Sequence, residues 1–159
     1  MSIANFVAAA IDELGAGRYD VAMSLACSAI DGTTAKALSQ SKKSGERFKV
    51  FLEENMRLIT RYGFPGIEAS GIRIKCINIP DIKTDNEGYV SIADIIYHVV
   101  RCSVIHECSI DERIEFTEQT HIGDFKTKFR IPRKLIVGLL AAVVQSPNNL
   151  DESFEKRVL

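Results

Sequence analysis

The residues richest in chemistry lie in one run, Tyr97-His98-Val99-Val100-Arg101-Cys102-Ser103-Val104-Ile105-His106-Glu107. Arg101 carries a permanent charge on a planar fork that suits phosphate. His106 can give and take a proton near neutral pH. Together they meet the needs of metal-independent phosphodiester cleavage. One group moves the proton of a ribose 2′-hydroxyl or of the leaving oxygen, and the other stabilises the charge on phosphorus. On a regular helix the two lie roughly 140° apart. They must therefore edge a cleft shared with another helix or a second copy of the chain, unless the helix ends or distorts near His106. The plainer reading makes Arg101 a surface ion-pair partner and His106 a helix-terminal residue favoured by the dipole.

The same helix carries a rival constellation. His98, Cys102 and His106 are spaced i, i+4, i+8 and run down one stripe, and both residue types ligate zinc. A fourth ligand would have to come from Cys27, Cys76, Cys108 or His121. No second ligand pair accompanies the stripe, so the expectation is no metal and no cofactor. Cys102 then reads as a small core-edge residue and His98 as a boundary histidine.

Charge is sorted along two later segments. Arg113-Ile114-Glu115-Phe116-Thr117 lies in an acidic stretch, whereas Lys126, Lys128, Arg130, Arg133 and Lys134 are basic. Alternation puts Lys126, Lys128 and Arg130 on one face and Phe125, Thr127, Phe129 and Ile131 on the other. Cross-strand ion pairing over a half-buried ribbon is the favoured reading. The alternative is a basic edge that guides RNA phosphates, joined by Arg57 and Arg61 one helical turn apart. Nucleotide-binding glycine loops, the serine-hydrolase elbow and the zincin HExxH are missing; after His106-Glu107, position 110 is Ile.

These side chains need elements to hold them. Ser2–Leu14 reads as a helix with Ser2 as its N-cap, and Gly15-Ala16-Gly17 breaks it. Arg18–Leu38 reads as a second helix, antiparallel to the first because the break is so short. A third runs over Glu46–Tyr62 and ends at Gly63-Phe64-Pro65-Gly66. Residues 67–88 read as irregular, with a short strand at most around Ile72–Lys75. Ser91 caps a fourth helix, whose stripe is Ile92, Ile95, Ile96, Val99, Val100 and Ser103 and which runs to about His106–Cys108. The period then changes to two over Arg113–Thr117 and Phe125–Ile131, a β-hairpin inserted before a fifth helix, Arg133–Gln145, with Pro132 in its first turn. The fold class is mainly α: five helices and one hairpin, a single domain over 1–150 with a frayed charged tail at 151–159.

Composition narrows the classes. A chain of 159 residues is most simply one domain, and 46% hydrophobic with 26% charged residues excludes a disordered tail or a rod. Twenty Lys and Arg against 21 Asp and Glu give a net charge of −1, so any nucleic-acid contact is a local patch. The start lacks the pattern of a secretory signal. The longest apolar run, Leu135–Val144, is about half the roughly 20 residues that span a bilayer. A cytoplasmic protein off the membrane, its four cysteines reduced, is expected.

Arg, four residues, then His near the end of the fourth helix of a small helical bundle resembles the signature of the HEPN ribonucleases. Gly17-Arg18-Tyr19-Asp20-Val21-Ala22, with Leu25-Ala26 and Ala29-Ile30-Asp31, is similar to the helical hairpin of that superfamily. The resemblance covers the helical skeleton, about two-thirds of the chain; the hairpin and 67–88 read as insertions. It implies a five-helix bundle that dimerises and places two Arg/His pairs in one composite cleft. It implies RNA cleavage without metal, in a toxin or phage-defence effector, with a cognate antitoxin as a candidate partner. Arg101 and His106 match the motif. Cys102 departs from it, because active members often carry Asn, Asp or His directly after the Arg. A catalytically silent module of the same fold, binding a protein or a nucleotide, is the alternative.

Overall fold

The computed structural model describes residues 2–37, 43–79, 82–102 and 112–154. Helix α1 (Ile3–Gly15) starts where Ser2 Oγ accepts the amide of Asn5, as the capping pattern predicts. Its end is a Schellman turn: Arg18 N–H donates to Glu13 O and Gly17 N–H to Leu14 O. Gly17 supplies the left-handed residue, φ 76°. The chain reverses into α2 (Tyr19–Ala37), which packs along α1.

The predicted third helix is two helices, α3 (Ser44–Glu54) and α4 (Met56–Gly63). The break is Asn55, at φ −100° and ψ 7°, whose side-chain amide donates to Phe51 O at 2.9 Å. A side chain that bonds its own backbone in this way offers the chain an alternative to the helix. Apolar periodicity runs across the break and does not reveal it. Six α-helices therefore stand among the described residues where five were expected.

After a loop, β1 (Arg73–Lys75) pairs antiparallel with β2 (Tyr89–Ser91). Ser91 ends β2 and also caps α5 (Ile92–Ile95), its Oγ accepting Asp94 N–H at 3.1 Å. The helix then widens into a π-helix over Ile96–Cys102. Of the stripe expected on this element, Ile92, Ile95 and Ile96 are buried. The side chains of Val99, Val100 and Ser103 lie outside the described set, as does everything from 103 to 111.

The inserted β region differs from the expected hairpin. Strand β3 (Ile114–Thr117) pairs parallel with β5 (Lys128–Pro132), in register Ile114 to Phe129 and Thr117 to Pro132. The hairpin partner of β5 is β4 (Gly123–Phe125), so the strand order is β3-β5-β4. The turn falls at Lys126-Thr127, inside the segment read as one strand, with Lys126 at φ 54°. Asn78 holds that turn from a distant loop by donating to the carbonyls of Lys126 and Lys128, each at 2.9 Å. Phe129 and Ile131 face the core as expected, but Phe125 is 40% exposed because it stands before the turn.

Pro132 closes β5, and α6 (Lys134–Val144) follows with Arg133 at its N-cap. This apolar helix packs on α4 and α2. Ser146 caps a 3₁₀ turn at Pro147–Asn149, and Asn149 donates to Thr33 Oγ1 and Val143 O in the buried core. Asp151 and Glu152 are anchored: Lys36 reaches both at 2.8 Å, and Glu152 accepts Ala4 N–H at 3.0 Å.

Candidate functional site

Arg101 stands on the π-helix, pointing into the space between α2 and α3. Its side chain is 10% exposed. Nε donates to both carboxylate oxygens of Asp31 on α2, at 3.0 and 3.2 Å, and Nη2 donates to Ser44 Oγ at the start of α3, 3.0 Å away. The guanidinium carbon lies 5.5 Å from the Phe48 ring centroid and 5.3 Å from that of Tyr97. Two aromatic faces and a carboxylate replace the water that a buried cation loses, each face contributing about 0.5–2 kcal/mol. The plainer expectation of a surface ion pair is thereby corrected: Arg101 is an ion-pair partner, but a buried one.

The π-helix also removes the premise of the 140° offset. That angle holds for a regular α-helix, and Arg101 sits on a wider turn of the kind often found at functional sites. His106 lies outside the described residues.

Around this pair the polar groups are ordered. Tyr97 packs its hydroxyl against Gly45, where a Cβ would overlap it, so the N-terminus of α3 can approach the π-helix closely. Lys49 bonds Asp94 at 2.6 Å and lies 4.8 Å from the Tyr97 ring. His98 meets the Tyr97 ring edge-on at 5.0 Å. Partial burial and then the neighbouring Lys49 hold its imidazole below the usual value, against the pull of Asp94. Burial raises the Asp31 carboxyl above its ordinary range, and the hydrogen bond and charge of Arg101, with Arg47, oppose the rise. Burial pushes the Cys27 thiol up as well, with Asp31 adding to the effect. Chemically, the centre offers an oriented guanidinium. Nε and Nη2 are taken by Asp31 and Ser44, and Nη1 is the one guanidinium nitrogen without an acceptor among the described residues.

The other expected site residues lie elsewhere. Lys128 Nζ donates to Glu112 O at 2.5 Å, and Arg130 pairs with Glu115 at 2.6 Å while stacking 3.5 Å from the Phe125 centroid. Lys126 is exposed at the turn. Arg57 and Arg61 are exposed on α4, which packs mainly on α6 rather than on the sheet. The structure does not gather these five into one track. His98 and Cys102 share the π-helix, Cys27 and Cys76 are buried, and His121 is exposed. Among the described residues no three His, Cys, Asp or Glu side chains converge as a metal site.

Sequence reasoning missed Asp31 and Ser44 as partners of Arg101. A signal was present: an Arg on a helix with an apolar stripe requires a counter-ion, and Asp31 interrupts the apolar face of α2 after Ala29-Ile30.

No helix among the described residues is long and apolar enough to cross a membrane. No solved structure matches the chain. Relatives include the uncharacterized protein Mb1320 of Mycobacterium bovis and the uncharacterized proteins Rv1289 and MT1327 of Mycobacterium tuberculosis. Each is 26% identical over 96% of this chain and 73% of the relative. The Rv1289 family model matches residues 2–158, nearly the whole chain, and the protein belongs to that family.

Proposed function

We propose that the chain is a metal-independent endoribonuclease of HEPN type, a cytoplasmic toxin or phage-defence effector that works as a homodimer. The observation that supports this reading is the Arg101–Asp31 pair, 3.0 Å long. It joins two separate parts of the resemblance, the α1–α2 hairpin pattern ending in Asp31 and the Arg of the Arg-x4-His motif. Asp31 and Ser44 then act as positioning residues that fix the orientation of the Arg101 guanidinium, whose remaining nitrogen Nη1 is the group offered to a scissile phosphate. His106 transfers the proton. The ribose 2′-oxygen attacks phosphorus, the P–O5′ bond breaks, and the leaving oxygen takes up a proton. Lys126, Lys128, Arg130, Arg57 and Arg61 are candidate backbone contacts away from the centre.

Cleavage of RNA in the presence of chelator tests the reading. Products ending in 2′,3′-cyclic phosphate are expected, with DNA of the same sequence left intact. His106→Ala should lower the rate about 10²–10⁴-fold. Arg101→Lys should also lose most of the rate, because the charge stays and the fork goes. Equal cleavage by folded His106→Ala would overturn it. The burial of Arg101, its side chain 10% exposed and tied to Asp31 and Ser44, favours the second reading, a silent module that binds a protein or nucleotide and in which Arg101 holds α2 and α3 to the π-helix. Wild-type protein that binds nucleotide but leaves RNA whole in chelator supports that one.

A further inference from the structure

Helix α2 begins at Tyr19, far from Asp31; a helical rise over the intervening residues separates them by about 18 Å. At this end the α1–α2 turn faces the start of α6 across a cleft of about 400 Å³. Ile11 and Leu14 of α1 and Val137 of α6 form its apolar lining, and Tyr19, Arg133 and Lys134 supply the polar groups. Apolar walls with a few convergent polar groups, in a volume of this order, are the usual form of a small-molecule site.

The charged groups that line the cleft carry one sign. Arg133 Nη1 donates to Tyr19 Oη at 2.8 Å and lies 2.9 Å from Glu118 Oε1. Its Nε and Nη2 have no acceptor among the described residues, and neither does the exposed Lys134. The first turn of α6 contains no acidic residue, and Arg133 makes no side-chain cap there, so the positive end of the helix dipole adds to the two cations. Glu118 is the opposing charge. Its side chain is 76% exposed, so its hold on Arg133 is weak and a ligand can displace it readily. The Nε/Nη2 edge of Arg133 shows which headgroup fits, since Tyr19 and Glu118 engage only Nη1 and a planar carboxylate takes such an edge in the two-point manner.

We propose that this cleft binds a small organic monoanion, a carboxylate carried on an apolar body of about ten carbon atoms. The carboxylate pairs with Arg133 and Lys134, and the body lies against Ile11, Leu14 and Val137. The proposal uses neither Arg101 nor His106 and stands apart from the RNA reading.

Decanoate titrated into the full chain, followed by methyl NMR, is the test, with decanol as the uncharged control. Saturable shifts centred on Ile11, Leu14 and Val137 are expected, with decanol about tenfold weaker or worse, a difference of about 1.4 kcal/mol. Arg133→Met combined with Lys134→Met should reduce decanoate to the decanol level. Glu118→Gln should tighten it, and Val137→Trp, which fills the cleft, should abolish it; unchanged melting temperatures show that each variant folds. Absence of saturable binding, equal binding of decanol, shifts centred elsewhere, or a folded double variant that binds as wild type would each overturn the proposal.

Discussion

Two arginine–carboxylate pairs of the same chemistry stand in different surroundings. Arg101–Asp31 is enclosed between α2, α3 and the π-helix, with side chains 10% and 29% exposed. Arg130–Glu115 spans the parallel strands β5 and β3, with side chains 23% and 45% exposed and one aromatic face, Phe125, over the guanidinium. In the first, each partner supplies the main charge that replaces the other's lost water, so removing either leaves a poorly compensated charge. In the second, water stands ready to replace a lost partner, and the pair adds little. Arginine in a sequence therefore says little until its burial is known.

The sharpest way to break the comparison is Asp31→Ala. It should cost about 2–4 kcal/mol in urea unfolding, somewhat under the fully buried case because Asp31 keeps some exposure. Asp31→Leu together with Arg101→Met should recover most of that loss, since matched apolar groups need no counter-ion. Failure of the pair to recover would show that the centre is held by more than charge. Gly45→Ala probes the same centre through packing. Its new Cβ displaces the Tyr97 hydroxyl, and a loss of about 1–3 kcal/mol is expected, with the Tyr97 side-chain resonances shifting. At the sheet, Glu115→Ala should cost less than about 1 kcal/mol, and the cost should shrink in high salt. A loss as large as that of Asp31→Ala would erase the contrast.

The smallest effect is a titration. Asp85 accepts backbone amides of Tyr89 and Glu87 and pairs with Arg73 at 3.1 Å. The Tyr89 hydrogen bond leads in holding its carboxyl below the ordinary range, against some desolvation. A lowered folded value means that Asp85 stabilises the fold above its unfolded pKa and that this is lost as pH falls through the folded one. Asp85→Asn should therefore flatten the acid limb of the stability curve, and NMR titration of Asp85 should show a midpoint below that of an unfolded aspartate. Asp31 runs the other way. Burial raises its carboxyl while Arg101 and Arg47 pull it down, so desolvation offsets part of what the ion pair contributes, and Asp31→Asn, which keeps a hydrogen-bonding side chain beside Arg101, should cost less than Asp31→Ala in the same urea unfolding.

Much of the helical skeleton was legible in the amino acids because its causes are local. Ser2 and Ser91 cap helices where their side chains meet free amides, Gly17 takes the left-handed residue that ends α1, and apolar spacing marks the buried faces of α1, α2, α3 and α6. The existence of strands around Ile114 and Phe129 was legible for the same reason, since alternation is a property of neighbours in sequence. Their pairing was not. Whether β5 lies beside β3 in parallel, and where its hairpin turn falls, depends on Asn78, remote in sequence, and on how the chain doubles back through β4 between the two parallel strands. The break at Asn55 was hidden because the apolar stripe continues across it. The types at Arg101 and Asp31 were visible from the start, but their meeting was decided by the packing of α2 against a π-helix. A residue's type sets which bonds it can make; which of them it makes, and how much they are worth, is set by what the fold places beside it and how much water it leaves there.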